Sequence, residues 1–339
     1  MRLTNFWSVF CLAVSLSAQT TKPALTCATC HRQQAQTQPT TPMGIGMQLP
    51  PNQTVLAAHP KMTFEKAGFH YTVESNGGAS TYTVTDGKDT LSLPIHYAFG
   101  VHIQTYVLEY NGRFYESLVS YYPTINGIAI TMGDERLEPH SLLEAMGRPT
   151  ASQEITACFG CHSSNTVKDG QLHLEAVTPG LTCEHCHAGA DAHMDALAHG
   201  QPGVLPKKLK GLAAEDSANY CGQCHRTWET VIRTRKWGEM NVRFQPYRLS
   251  NSKCFNGADT RISCTACHDP HQDLVRDDLT YDKNCLACHA PAVNAVKHCS
   301  VAKSGCVTCH MPKIELPGSH AKFTDHQIRI VRANEKYPD

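Results

Sequence analysis

The chain has 339 residues, with 30 basic and 30 acidic side chains, 17 Cys and 20 His. Cancelling charge leaves no basic field for nucleic acid or for an anionic membrane surface. After the first twenty residues no stretch approaches the ~20 consecutive apolar residues that a membrane-spanning helix requires.

In chain order, Arg2, the apolar run Phe6 to Leu16 and the small residues Ser17 and Ala18 form the pattern of a secretory signal peptide over 1–18. Cys11 lies inside that run, and Val9-Phe10 before it lacks the small residues of a lipoprotein cleavage site. Residues 19–58 carry Cys27, Cys30 and His31. They continue from 32 to 56 as a Gln-, Thr- and Pro-rich stretch that predicts an extended connection. From 59 to 135 the pattern turns to strands: Tyr71-Thr72-Val73, Ser80 to Val84, Ile103 to Leu108, and Arg113-Phe114-Tyr115 onwards. Turn signals fall between them at Asn76-Gly77-Gly78, Asp86-Gly87, Asn111-Gly112 and Asn126-Gly127. These predict an antiparallel meander of five or six strands. Ser141 to Met146 reads as a short helix ended by Gly147 and Pro149. Residues 136–330 hold all of the remaining Cys, and 331–339 form a tail.

Seven times the chain spells Cys, two residues, Cys, His. The motifs are Cys27-Cys30-His31, Cys158-Cys161-His162, Cys183-Cys186-His187, Cys221-Cys224-His225, Cys264-Cys267-His268, Cys285-Cys288-His289 and Cys306-Cys309-His310. Two thiols one helical turn apart can form thioethers with the two vinyl groups of haem, and an imidazole directly after them reaches the iron from the same side. A zinc knuckle or a redox dithiol uses Cys-x-x-Cys without requiring that histidine. With 20 His in 339 residues, chance would supply it at a given motif roughly 6% of the time, so seven of seven identifies attachment sites for seven covalently bound haem c. Attachment of haem c takes place outside the cytoplasmic membrane, which agrees with the signal peptide and predicts a periplasmic or extracellular location.

The motifs are unevenly spread. The first two begin 131 residues apart, whereas the later six begin at 158, 183, 221, 264, 285 and 306. Six haems in about 160 residues rich in Gly, Pro, His and charge leave too little apolar sequence for an ordinary core. Haem must supply that core. The expected fold class is α+β with little regular structure: a haem-packed, mainly helical and coil multihaem domain with an inserted antiparallel β domain.

Distal ligands separate an electron carrier from an enzyme. His271 in Cys-His-Asp-Pro-His, His193 six residues after His187, and His320 and His326 in the C-terminal arm are the first candidates, followed by His59 and His102. Met43 is a candidate too, with Met47 beside it, because Met opposite His raises a haem potential. His70, His96, His140, His173, His199 and His298 read as surface or sheet residues, and His185 inside the third motif points away. Cys254 and Cys299 are left over and, in an oxidising compartment, predict a disulfide.

The chain resembles the exported multihaem cytochromes with a cytochrome c-552/4-type haem domain. The likeness rests on Cys183-Glu184-His185-Cys186-His187-Ala188-Gly189 followed by His193, on Ser252-Lys253-Cys254-Phe255, on Cys267-His268-Asp269-Pro270-His271, and on Cys309-His310-Met311-Pro312 followed by Thr324-Asp325-His326-Gln327-Ile328-Arg329. It covers roughly residues 150 to 330. It implies stacked haem pairs, many with two His ligands, and electron transfer with redox partner proteins such as a quinol-linked donor or a terminal reductase. More distantly the arrangement is similar to the haem cores of pentahaem nitrite reductase and hydroxylamine oxidoreductase. However, no motif here carries Lys in place of His, and there is no equivalent of the latter's crosslinking tyrosine motif.

The leading expectation is an electron carrier. An alternative is an oxidoreductase acting on a small nitrogen or sulfur compound at one five-coordinate haem, with Tyr106, Arg113, Tyr121 and Tyr122 at the junction of the two domains. A further alternative is a haem-chain subunit of an oligomer or filament docked through the β domain.

Overall fold

The computed structural model of the chain describes residues 25–290 and 299–338. The signal peptide expected over 1–18, and His298, lie outside these residues. The fold is α+β, with antiparallel sheets and short helices. Among the described residues no helix is long and apolar enough to cross a membrane.

Two antiparallel sheets occupy the first half. Strand β1 (Met47–Gln48) precedes a four-stranded meander of β2 (Lys61–Lys66), β3 (Phe69–Asn76), β4 (Ala79–Thr85) and β5 (Thr90–Pro94), which forms one sheet. The other orders β1, β6 (Tyr97–Phe99), β7 (Gln104–Tyr110), β8 (Arg113–Tyr122) and β10 (Gly147–Pro149), with β9 (Gly127–Ile130) also paired to β8. The hairpins close where turn chemistry places them. Asn111 and Gly112 both take positive φ (50° and 70°), as a type I′ turn between β7 and β8 requires.

Strand alternation explains what packs where. Tyr71, Val73, Tyr82 and Val84 from the first sheet meet Tyr106, Leu108, Leu118 and Val119 from the second in one buried cluster. Val107, between two of those β7 residues, faces the opposite side. There it joins Met47, Phe99, Ile155 and Phe159. Ile155 and Phe159 belong to the helix Ser152–His162, which carries the second motif. The six-stranded sheet is thus covered by β2–β5 on one face and by a motif helix on the other. Tyr97 and Phe99 meet Phe159 edge-on at 4.9 and 5.2 Å. Arg148 ties β10 to the same helix, pairing with Glu116 at 2.5 Å and Glu154 at 2.7 Å.

The expected helix at 141–146 forms as Leu142–Met146, with Ser141 Oγ accepting from Glu144 N. The expected extended connection over 32–56 does not. That stretch contains the helix Arg32–Thr37, a 3-10 turn at Gln38–Thr40, strand β1 and the helix Thr54–Ala58. It docks because Gln38 Nε2 donates to Leu181 O at 2.7 Å and Leu181 N donates to Met43 O at 3.0 Å. At that junction Gly180 (φ +74°) lets two backbones touch: a Cβ there would lie 1.7 Å from Gly44 O. The β region is also richer than the expected meander of five or six strands: residues 59–135 form eight strands, β2 to β9, in two sheets, and β1 and β10 join the second sheet from outside.

Beyond residue 181 the packing changes. Among the described residues the buried apolar cluster in that half is Val231, Phe244 and Tyr247. Helices here are short, and most of the sequence is turn and coil.

Candidate functional site

Each motif is a single helical turn or the last turn of a longer helix. Cys27–Cys30, Cys183–Cys186 and Cys264–Cys267 stand alone, whereas the second, fourth and sixth motifs end Ser152–His162, Ala214–His225 and Asp282–His289. The seventh is the helix Cys306–His310. In a helical turn residues i and i+3 share a face, so both thiols of a motif address one side. The motif cysteines are half-buried or exposed.

A ligating imidazole must be neutral, and its second nitrogen is usually fixed by a hydrogen bond. Five motif histidines meet that pattern at Nδ1 or through a side chain. His162 Nδ1 bonds Gly46 O at 2.9 Å, His187 Nδ1 bonds Lys207 O at 3.1 Å, and His310 Nδ1 bonds Arg329 O at 2.8 Å. His268 Nδ1 lies 3.5 Å from Tyr281 Oη, and His225 bonds Gln245. Burial holds His162, His225 and His268 below the ordinary imidazole range, which keeps them neutral at pH 7.

The candidates for the far side of the iron divide. His187 and His271 have ring centres 6.0 Å apart with planes 7° from parallel, and His268 and His326 stand 6.3 Å apart at 48°. Two imidazoles on opposite sides of one metal would have centres about 6 Å apart, from two metal–nitrogen bonds of ~2 Å and two ring radii of ~1 Å. His271 Nδ1 bonds Asp269 Oδ1 at 3.0 Å and His326 Nδ1 bonds Thr324 O at 3.0 Å, so Nε2 is the nitrogen left for a metal in each. Burial pushes His326 down to about 4. His193 Nδ1 bonds Val204 O at 2.6 Å in the same manner.

The other candidates have their contacts elsewhere. His59 uses both nitrogens within the β region, Nδ1 with Val55 O at 2.8 Å and Nε2 with Asn126 Oδ1 at 2.8 Å. His102 Nε2 accepts from Arg276 at 3.0 Å, and His320 is exposed with its ring 5.2 Å from Tyr122. Met43 is half-buried in the docked 38–46 segment, while Met47 belongs to the sheet core. No disulfide joins Cys254 to Cys299. Both thiols are free, Cys254 lying near Cys288 instead, because composition alone could not say which segments meet. Tyr106 and Tyr122 are buried in the sheet, Tyr122 Oη donating to Ile130 O at 2.7 Å, and Tyr121 Oη lies 3.2 Å from His59 Nε2. Arg113 is exposed at the start of β8. These four do not converge on a motif histidine.

The motifs themselves interlock through residues that composition did not single out. Tyr220 of the fourth-motif helix donates to Cys186 O of the third at 2.5 Å. Ser217 of that same helix accepts from Cys264 N, the start of the fifth, at 3.1 Å. Asn284 in the sixth-motif helix donates to Ala266 O of the fifth at 2.7 Å. Asp282 accepts from Gly305 N at 2.7 Å and from Cys306 N at 2.8 Å, and so caps the seventh. The Cys27 thiol lies beside that of Cys183, in the first and third motifs, and the Cys161 thiol of the second lies beside that of Cys224 in the fourth, 3.9 Å from Gln223 O. Contacts therefore run from third to fourth, fifth, sixth and seventh, with the first beside the third, and with the second beside the fourth and bonded to the segment that leads into the third.

This half fits haem. It has a three-residue apolar cluster of its own, and its motif cysteines are half-buried or exposed, open to a group that would cover them. Among the described residues no group of three or more His, Cys, Asp and Glu side chains is arranged to hold a bare metal ion.

Residues 131–188, which include the second and third motifs, match the family described as Cytochrome c554 and c-prime. No curated protein and no solved structure matches the chain. The family match, with the geometry above, supports a c-type cytochrome domain with covalently bound haem c in an electron-transfer role.

Proposed function

We propose that the chain is a seven-haem c-type cytochrome that carries electrons in the periplasm or at the cell surface, through closely spaced haems most of which have two histidine ligands. The observation that carries this reading is the interlock of the motif helices. Hydrogen bonds run from third to fourth, fourth to fifth, fifth to sixth and sixth to seventh motif, so neighbouring attachment sites have fixed spacing and orientation.

When bound, haem c supplies an iron that takes up and releases one electron at a potential set by ligands, burial and hydrogen bonds. The chain's own residues set those conditions. Gly46 O, Lys207 O, Arg329 O and Tyr281 Oη hold the Nδ1 side of four motif imidazoles and leave Nε2 for the iron. The His187–His271 and His268–His326 separations support two-histidine ligation at the third and fifth motifs. The β region covers the branch at the second motif and shields His162 with Phe99, whose ring stands 5.4 Å away edge-on. Its partners would be redox proteins, such as a quinol-linked donor or a terminal reductase.

The test is a pyridine haemochromogen assay against protein concentration, with the intact mass of the exported protein. Seven haems per chain are expected. A lower count with unmodified motif thiols would overturn the reading.

A further inference from the structure

Arg248 is the largest fully buried side chain among the described residues, and it lies in the half that is poorest in apolar core. A guanidinium has five N–H donors and cannot shed its charge, so burying one demands a complete set of acceptors. The set is complete. Nε donates to Asp325 Oδ1 at 2.9 Å; Nη1 donates to Pro338 O at 2.7 Å and to Asn241 Oδ1 at 3.3 Å; Nη2 donates to Asp325 Oδ2 at 3.0 Å and to Gln327 Oε1 at 2.6 Å. The ring of Tyr337 lies 4.5 Å beneath it.

Two of these acceptors, Asp325 and Gln327, flank His326. The intervening backbone is pinned as well: Ser252 Oγ donates to His326 O at 3.2 Å and accepts from Ile328 N at 2.8 Å, while Asp325 N donates to Pro312 O at 2.9 Å. Two residues further on, Arg329 exchanges hydrogen bonds with the seventh motif. Its N–H donates to His310 O at 3.2 Å and its carbonyl accepts from His310 Nδ1 at 2.8 Å. One five-residue strap thus presents His326 to His268 and fixes the ring of His310.

We infer that Arg248 is a positioning residue for two haem sites at once, holding the 325–329 strap so that His326 faces the iron of the fifth motif and Arg329 orients the ligand of the seventh. This rests on the reading that His268 and His326 share an iron. Arg248 touches neither histidine; it acts through Asp325 and Gln327.

The experiment compares electron paramagnetic resonance spectra of ferric holoprotein for wild type, His326→Ala, Arg248→Lys and Ser252→Ala, each with its haem count. His326→Ala is expected to turn one low-spin signal high-spin at an unchanged haem count. Arg248→Lys, which keeps the charge but loses the fork that holds Asp325 and Gln327 together, is expected to give the same high-spin signal and to shift the low-spin signal of the seventh haem. A role in stability alone would lower the melting temperature at a full haem count without this selective change, and would overturn the inference. If Arg248→Lys does not accumulate with a full haem count, Ser252→Ala is read by the same criterion, since it frees only His326 O and Ile328 N. A His326→Ala spectrum identical to wild type would sink the shared-iron reading and the inference with it. A changed His326→Ala spectrum beside unchanged Arg248→Lys and Ser252→Ala spectra would sink the inference alone.

Discussion

Asp134→Asn should stabilise the β region at alkaline pH and leave it unchanged at acid pH. Asp134 follows β9, is buried, and has one carboxylate oxygen, Oδ2, without a hydrogen-bond partner. Burial, and then the charge of Glu116, raise its carboxyl to about 6, with Arg148 opposing. The ordinary value is 3.8. A group whose native pKa is raised binds more protons folded than unfolded, so stability present below the ordinary value is lost as pH climbs through about 6. Two pKa units correspond to ~3 kcal/mol at face value, and solvent screening of a site near the surface reduces this to about 1–2 kcal/mol. Asparagine has the same size and no charge to lose. The assay is thermal unfolding followed by far-ultraviolet circular dichroism at pH 5 and pH 8. The variant should melt several degrees higher than wild type at pH 8, at ~2–4 °C per kcal/mol, and close to it at pH 5. An equal gain at both pH values, or a loss at pH 8, would refute the reasoning.

Phe159→Ala should cost about 3–5 kcal/mol, because the ring is fully buried between Tyr97 and Phe99 and its loss leaves a cavity between sheet and motif helix. Denaturant unfolding monitored on the sheet amides measures it, and a loss under 1 kcal/mol would contradict the packing described. Gly180→Ala should release the 38–46 segment, since a Cβ at φ +74° would strike Gly44 O. Hydrogen exchange at Ile45 and Leu181 should quicken by at least tenfold, and unchanged protection would show that the two backbones are not in contact. A chain made without haem should keep slow exchange in β2–β5 and β7–β8 while residues 182–290 exchange freely, because the large buried clusters lie in the first half. Protection of 182–290 without haem would contradict haem as their core.

The strands around the hairpins were legible because Asn-Gly and Gly-Gly turns state both the position and the register of a hairpin. β1 and β10 were not, since two- and three-residue edges exist only because β6 and β8 offer them partners. The polar composition of 32–56 suggested a linker, yet its anchoring depends on Gln38 reaching Leu181, 143 positions away. The attachment motifs were readable because Cys-x-x-Cys-His is local chemistry. Which histidine meets which motif is not local. His271 could be picked out by its spacing from His268, but its partner ring is that of His187, in a motif some 80 residues earlier. Arg248, Ser217, Tyr220 and Asp282 gave no sequence signal at all. Each acts through tertiary contacts with residues distant in sequence, and the nearest hint was Asp325, a carboxylate within the arm that carries His326.

The central proposal is a set of closely spaced, six-coordinate haems that carries electrons. Electron paramagnetic resonance of the air-oxidised holoprotein, integrated against seven haems per chain, tests it most directly. The account predicts low-spin ferric signals alone, unchanged by added nitrite, hydroxylamine or sulfite. A high-spin signal integrating to about one iron per chain and shifted by any of these ions would contradict it, and would identify an open coordination site and an enzyme.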